Sequence, residues 1–188
     1  KYVFPGDGEG PVRKVFVDKF SISKYSVTIA EFKRFIDETD YVTDAEKFGW
    51  SFVFFDQLKN NSYTDSVQNA PWWIKVDEAY WNLPDGENIG IDKFPDHPVT
   101  HISWRDAQEY CNWSGTRLPT EAEWEFAARG GLDQKKYPWG NQLEPNGEVQ
   151  CNIFEGEFPN KNNAPKDMKF TTKVDQFKPN NFGLYNMV

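Results

Sequence analysis

Arg117-Leu118-Pro119-Thr120-Glu121-Ala122-Glu123-Trp124-Glu125-Phe126-Ala127-Ala128-Arg129-Gly130-Gly131 is the stretch whose reading decides the fold of this chain. A threonine followed three residues later by glutamate is a capping box. The hydroxyl takes the N–H of the third helical residue, and the glutamate reaches back to the N–H of the cap. Thr120 and Glu123 fill those places, and Gly130 supplies the residue without a Cβ that closes a helix in the left-handed conformation. The spacing predicts a helix that opens at Thr120 and stops at Gly130.

Two further helices are signalled in the same way. Thr28 and Glu31 form a second box, after which Ile29, Phe32, Phe35 and Ile36 recur at helical spacing up to about Glu38. Ser103 can cap a helix from Trp104 to Trp113, with Ala107, Tyr110 and Cys111 on one face and Gly115 at its end. Upstream, the Gly10-Pro11 pair opens a predicted strand over 12–20, where Val15 and Val17 alternate with Lys14, Phe16 and Asp18, and 21–27 extends into a second short strand. Residues 40–100 carry few periodic signals but many aromatic words, Phe48-Gly49-Trp50, Pro71-Trp72-Trp73 and Tyr80-Trp81 among them. A long aromatic loop region in a compact domain either binds something or packs over another element. No internal repeat is evident, and the pattern alone reads as α+β and loop-rich.

Composition agrees. Of 188 residues, 17% are aromatic, with 8 Trp and 16 Phe, so burial rests on large flat side chains. The 13 Gly and 12 Pro punctuate almost every segment and leave few uninterrupted helical runs. A net charge of −8 without a Lys or Arg run argues against nucleic-acid partners and anionic membrane surfaces. No stretch approaches the roughly 20 apolar residues of a membrane helix. Cys111 and Cys151 allow one internal disulfide, two free thiols or two half-bridges. Asn60-Asn61-Ser62 and Asn112-Trp113-Ser114 are glycosylation sequons, a weak pointer to a secretory route.

Around the quoted stretch lie Ser103-Trp104-Arg105-Asp106-Ala107, Tyr110-Cys111-Asn112-Trp113-Ser114-Gly115 and Tyr137-Pro138-Trp139-Gly140-Asn141. This ordered set resembles the formylglycine-generating enzyme, or sulfatase-modifying factor, family. The resemblance implies a low-regularity α+β fold related to C-type lectins, with 1–188 as one incomplete domain that continues beyond the C-terminus. It implies an oxidase that converts the cysteine of a Cys-x-Pro-x-Arg motif in a sulfatase precursor to formylglycine, using O2 and a copper(I) ion held by a cysteine pair. A soft cuprous ion prefers sulfur ligands. That pair is expected downstream of Val188, which leaves no catalytic residue in this segment.

The resemblance also assigns individual residues. Cys111 matches a cysteine whose family partner lies downstream, a half-bridge, whereas Ala128 stands where the family carries a further cysteine. The side chain of Asn152 and the carbonyl of Ile153 match calcium ligands, with Asp167 and Lys169 as the nearest acidic and carbonyl partners, and Asn186 matches the first ligand of a second calcium site. A hard cation takes 6 to 8 oxygens, which a loop can offer without regular structure. Residues 45–50, from Ala45 to Trp50, match a wall of the groove for the extended substrate peptide. There Trp50 either packs beside Phe48 and Phe52 or offers its face to proline or arginine. The alternatives are a non-catalytic paralogue that binds sulfatases or the active enzyme, and another oxidase or sulfoxide synthase on the same scaffold. The expected compartment is the endoplasmic reticulum lumen or the exterior for a eukaryotic source, and the cytoplasm for a bacterial one.

Overall fold

Four helices, each opened by a reciprocal cap, form the helical frame. The computed structural model describes residues 6, 10–58, 65–87, 90–165 and 168–188. They include α1 (Ile29–Thr39), α2 (Asp44–Phe48), α3 (Trp104–Ser114) and α4 (Glu121–Arg129), with N-caps Thr28, Thr43, Ser103 and Thr120. In each helix the cap hydroxyl accepts the N–H of the third helical residue, whose carboxylate accepts the cap N–H in return. α1, α3 and α4 lie where the sequence placed them. α2, opened by Thr43 and Glu46, is an addition inside the stretch that lacked periodicity. All four end on a left-handed residue: Asp40, Gly49, Gly115 and Gly130. Asp40 is the one without glycine's freedom at that position.

The chain divides into two compact units. One comprises Val27–Leu118 and Asn152–Val174. Within it β1 (Trp50–Phe54), β2 (Ser66–Val67) and β3 (Ala70–Asp77) form an antiparallel sheet in the order β1-β3-β2, with Trp50 opposite Asp77 and Phe54 opposite Trp73. Alternation along the strands puts Val53, Ile74 and Val76 on one face, where they bury with Ala79 against Phe55 and Leu58. A second core is aromatic: Phe32, Phe35 and Trp81 are buried, with Tyr110 and Trp113 of α3 packed against them. Phe32 meets Phe35 edge-on at 5.3 Å and Trp81 at 5.5 Å, the arrangement that aligns a positive ring edge with a negative ring face. A two-stranded ribbon, β4 (Gly156–Glu157) with β5 (Lys161–Asn162), belongs to the same unit.

The other unit comprises Lys1–Ser26, Pro119–Cys151 and Asp175–Val188. Its core is Ala127, Ala128, Leu184 and Met187, with Phe20 and Ile22 packed on it. Asn180 closes the end of α4: its Nδ2 donates to the carbonyls of Ala127 (2.8 Å) and Ala128 (3.2 Å), while its Oδ1 accepts the N–H groups of Phe182 and Leu184. One side chain thus satisfies two orphan carbonyls of the helix and shapes the turn that follows.

The strands predicted over 12–20 and 21–27 are not formed among the described residues. Alternation fixes which side chains share a face, but a strand needs a neighbour for its N–H and C=O groups. Here the segment is open, with Val12 82% and Phe16 89% exposed. Tyr185 N–H donates to the Lys24 carbonyl and Val99 N–H to that of Val27, separate bonds rather than a ladder.

One wholly buried carboxylate joins two helix starts. Asp106, third residue of α3, accepts the Ser103 N–H on Oδ2 (2.8 Å), and on Oδ1 both the Tyr41 hydroxyl (2.9 Å) and the N–H of Asp44, the first residue of α2 (3.0 Å). Ser103 Oγ donates in turn to Asp44 Oδ2 at 2.8 Å. Burial and the Asp106 charge hold the Tyr41 phenol well above its ordinary pKa, and the Ser103 hydroxyl, with Lys47, draws that of Asp44 down. Stability from Asp44 is therefore present above the ordinary carboxylate range, near 4, and fades as pH falls below it. Stability from Tyr41 is present below about pH 10 and fades as pH rises toward its elevated folded-state value.

Replacing Asp106 by Asn turns an amide NH2 toward at least one of these donors, and we expect a loss of about 2–4 kcal/mol. Tyr41→Phe removes a single charge-assisted bond, an expected loss of about 1–2 kcal/mol. Denaturant midpoints across pH check both. The decline above about pH 10 should shrink in Tyr41→Phe, and an unchanged alkaline arm would take the phenol out of the network.

Candidate functional site

α2 runs into β1 through Gly49, whose N–H donates to the Ala45 carbonyl at 2.9 Å while its φ of 80° turns the chain. Ala45 buries its methyl in this turn. Trp50, by contrast, is half-buried and is followed at every second position by Phe52 and Phe54 on the same face of β1. The Trp50 ring lies 5.1 Å from Phe52 and 6.4 Å from Phe48, and the Lys75 ammonium stands 5.1 Å over it. Lys75 is also 3.8 Å from the carboxylate of Asp65. Trp50 therefore packs with both phenylalanines and still faces solvent in part, but one face of its indole already carries a cation.

The aromatic strip continues. Phe54 contacts Trp73 at 5.9 Å, Phe158 at 6.1 Å and Phe154 at 6.2 Å, and Trp72 meets Phe158 edge-on at 5.0 Å. Phe48 is 65% exposed, Phe158 51%, and Phe52 and Trp73 41% each, so an apolar shelf stands open along β1 and β3. A contiguous patch of this kind marks a binding surface far more often than scattered exposed apolar residues do. Asp77, the cross-strand neighbour of Trp50, supplies a carboxylate at its end.

Beneath the shelf, His101 secures β1. Its Nε2 lies 2.9 Å from the Pro84 carbonyl, which can only accept, so Nε2 carries the proton and Nδ1 accepts from Ser51 Oγ at 2.8 Å. Burial pushes the His101 pKa down, and the imidazole is neutral at pH 7. His97, bonded to Thr171 Oγ1 at 3.0 Å, is likewise lowered by burial. Neither adds positive charge to the sheet.

In the segment that resembles a calcium loop, one side-chain hydrogen bond ties two stretches together. Asn152 Nδ2 donates to the Phe170 carbonyl at 2.5 Å, which joins 152–153 to 168–171 and leaves Oδ1 available. The carbonyls of Ile153 and Lys169 accept no backbone hydrogen bond among the described residues. An amide oxygen and main-chain carbonyls are donors of the kind a hard cation takes. Asp167 lies outside the described residues. Asn186, left-handed at φ 55°, belongs to the other compact unit. No group of three or more His, Cys, Asp or Glu able to hold a metal occurs among the described residues, so a cation here would depend on neutral oxygens and on Asp167.

Cys111, on α3, and Cys151, in the loop before Asn152, are free thiols in different compact units. Burial raises the Cys151 pKa, the opposite of what a reactive thiolate needs. This donor set does not fit a cuprous ion, which calls for a close thiolate pair. The residues that sequence reasoning missed here are Asp106, His101 with Ser51, and the Thr43-x-x-Glu46 box. Only the last had a legible signal, the same capping word read at Thr28 and Thr120.

Comparison with known proteins accounts for this arrangement. Residues 2–188 match the sulfatase-modifying factor enzyme 1-like domain. The chain is 50% identical over 186 residues to the formylglycine-generating enzyme of Thermomonospora curvata, covering 98% of this chain and 61% of that protein. It is 49% identical to the formylglycine-generating enzyme of Bos taurus over 97% of this chain and 50% of that protein. It is also 46% identical to the inactive C-alpha-formylglycine-generating enzyme 2 of Bos taurus, over 97% of this chain and 61% of that protein. The chain thus spans between half and about three fifths of the length of these relatives. With nearly every residue inside the matched domain, and the caps and aromatic loops that carried the resemblance in place, the chain belongs to the sulfatase-modifying factor family, that of the formylglycine-generating enzymes.

Proposed function

We propose that the parent protein is a formylglycine-generating oxidase, dependent on copper and O2, that acts on the cysteine of a Cys-x-Pro-x-Arg motif in sulfatase precursors. The observation that carries the reading is 50% identity across 98% of this chain to a formylglycine-generating enzyme. The chain's own contribution is binding. The aromatic shelf of Phe48, Trp50, Phe52 and Trp73 excludes water from an extended peptide, and Asp77 offers a carboxylate to its arginine. The cysteine pair for copper, and the partner of the Cys111 half-bridge, are assigned to the remaining length that the relatives have.

A second reading is a non-catalytic member that binds sulfatases or the active enzyme, favoured by the 46% identity to an inactive relative over nearly the whole chain. The two diverge in one observable: whether the parent carries two cysteines about five residues apart downstream. No helix among the described residues is long and apolar enough to cross a membrane. We assign the protein to the endoplasmic reticulum lumen or the exterior for a eukaryotic source and to the cytoplasm for a bacterial one.

Supplied with copper(I), O2 and a Cys-x-Pro-x-Arg peptide, residues 1–188 alone should form no aldehyde by mass spectrometry, and the parent protein should. Turnover by the segment would refute the assignment of the chemistry outside it, and an inactive parent that still binds the peptide would establish the second reading.

For calcium, the proposed ligands are Asn152 Oδ1, the carbonyls of Ile153 and Lys169, and the carboxylate of Asp167, with Asn186 beginning a second site. A ligand that prefers the folded state stabilises it by RT ln(1 + [L]/Kd), about 2.7 kcal/mol at a hundredfold excess over Kd. Thermal melts of the parent protein in calcium and in chelator should differ, and Asn152→Ala should reduce the difference. A mutant that keeps the full shift would remove Asn152 from the site; if only Asp167→Ala keeps it, the acidic ligand lies elsewhere.

A further inference from the structure

The corner that leads from α2 into β1 is held from below at both of its ends by one short stretch, 101–106. At the start of the corner, Ser103 Oγ donates to Asp44 Oδ2 at 2.8 Å, and Asp106 Oδ1 accepts the Asp44 N–H at 3.0 Å. At its end, His101 Nδ1 accepts from Ser51 Oγ at 2.8 Å. Between these anchors lie Phe48, 65% exposed, and Trp50, and Phe52 follows directly. Ser51 points with Val53 to the buried face of the strand, so His101 grips β1 from the side away from the aromatic rings.

His101 also reaches the opposite way. Its Nε2–H donates to the Pro84 carbonyl at 2.9 Å, in a turn that lies directly on β3. Gly86 of that turn comes so close that a Cβ there would meet Val76 Cγ1 at 2.7 Å and the Asp77 carbonyl oxygen at 2.8 Å. Val76 is the cross-strand partner of Ser51. The turn therefore presses on β3 at the rung where His101 holds β1. A rigid imidazole, with a donor on one ring nitrogen and an acceptor on the other, fixes the distance between the two. The backbone at His101 is left-handed, φ 57°, which a residue with a Cβ adopts at a cost and keeps only where its surroundings over-determine it. Here the two hydrogen bonds of the ring supply that constraint.

A binding face keeps its shape when the side chains that carry it are locked from behind. The geometry points to His101 as the positioning residue of the aromatic shelf: by tying Ser51 to Pro84 it sets where Trp50 and Phe52 stand. It acts on the exposed rings through the backbone of β1, because Ser51 is the residue between them. That the shelf receives a sulfatase peptide rests on the reading above; that His101 holds the shelf in place does not.

The test uses the complete parent protein labelled with fluorotryptophan, its Trp50 resonance assigned by loss in Trp50→Phe, and a Ser-x-Pro-x-Arg peptide, in which serine prevents turnover. His101→Asn tolerates the left-handed backbone but is too short to span Ser51 and Pro84, and Ser51→Ala removes the other end of the tie. Each should shift or broaden the Trp50 fluorine resonance and raise the peptide Kd about three- to tenfold, and the double variant should do no more than either alone. His97→Asn, which breaks the bond to Thr171 instead, should lower stability and leave both readouts unchanged. Should His101→Asn fail to fold, Ser51→Ala alone carries the comparison. A fall in denaturant midpoint with the Trp50 resonance and Kd unmoved would leave His101 a fold-stabilising residue only and overturn the proposal, as would effects that add in the double variant. A moved resonance keeps His101 in this role even where Kd is unchanged or the peptide does not bind, outcomes that overturn the sulfatase-peptide reading of the shelf instead.

Discussion

The Asp106 carboxylate is the constraint on which the larger unit depends. A buried carboxylate is costly unless its lone pairs are filled, and here three donors fill them: the cap N–H of Ser103, the first N–H of α2 and the Tyr41 hydroxyl. Two of these donors are backbone groups at helix starts, where aligned peptide dipoles favour negative charge. One ion thus serves α2 and α3 together. α2 is only five residues long, too short to hold itself, and its direction sets where Gly49 turns and where Trp50 begins β1. The aromatic shelf inherits its position from an interaction beneath the surface.

A second consequence follows from what fills the interior. Cores built on Phe32, Phe35, Trp81, Tyr110 and Trp113 need few residues to bury a large area, because rings meet edge to face and each contact spans several backbone segments. That lets long irregular segments stay ordered without ladders of their own. Local bonds complete the work: His101 ties β1 to the turn at Pro84, and Asn180 closes α4. The same supply of aromatic side chains reaches the surface at β1 and β3, where it forms the exposed shelf.

On the proposed reading, binding and bond-making are divided along the parent protein. This segment offers an apolar face, a strand at the edge of its sheet and exposed carboxylates, while burial lowers the pKa of its histidines and raises that of the Cys151 thiol. Such groups suit the holding of a ligand, and none among the described residues is poised for redox chemistry.

The sequence by itself determined three of the helices, because a capping box and a terminal glycine are local devices whose partners lie within a few residues. It also determined the family and the aromatic, loop-rich α+β character. It could have yielded α2 from the Thr43-x-x-Glu46 word, which lay hidden in a stretch otherwise without period. The tertiary structure decided the rest. Whether the alternation at 12–20 becomes a strand depends on a neighbour the local pattern cannot name, and among the described residues it has none. Ser103 looked like an ordinary cap, but that the carboxylate of Asp106 reaches 62 residues back to the Asp44 N–H and 65 back to the Tyr41 hydroxyl is a matter of packing. Trp50, open to two readings from sequence, packs beside Phe48 and Phe52 and stays partly exposed, with the Lys75 ammonium over its ring. Local hydrogen bonds are written in adjacent residues, whereas shared acceptors and open edges exist only once distant segments meet.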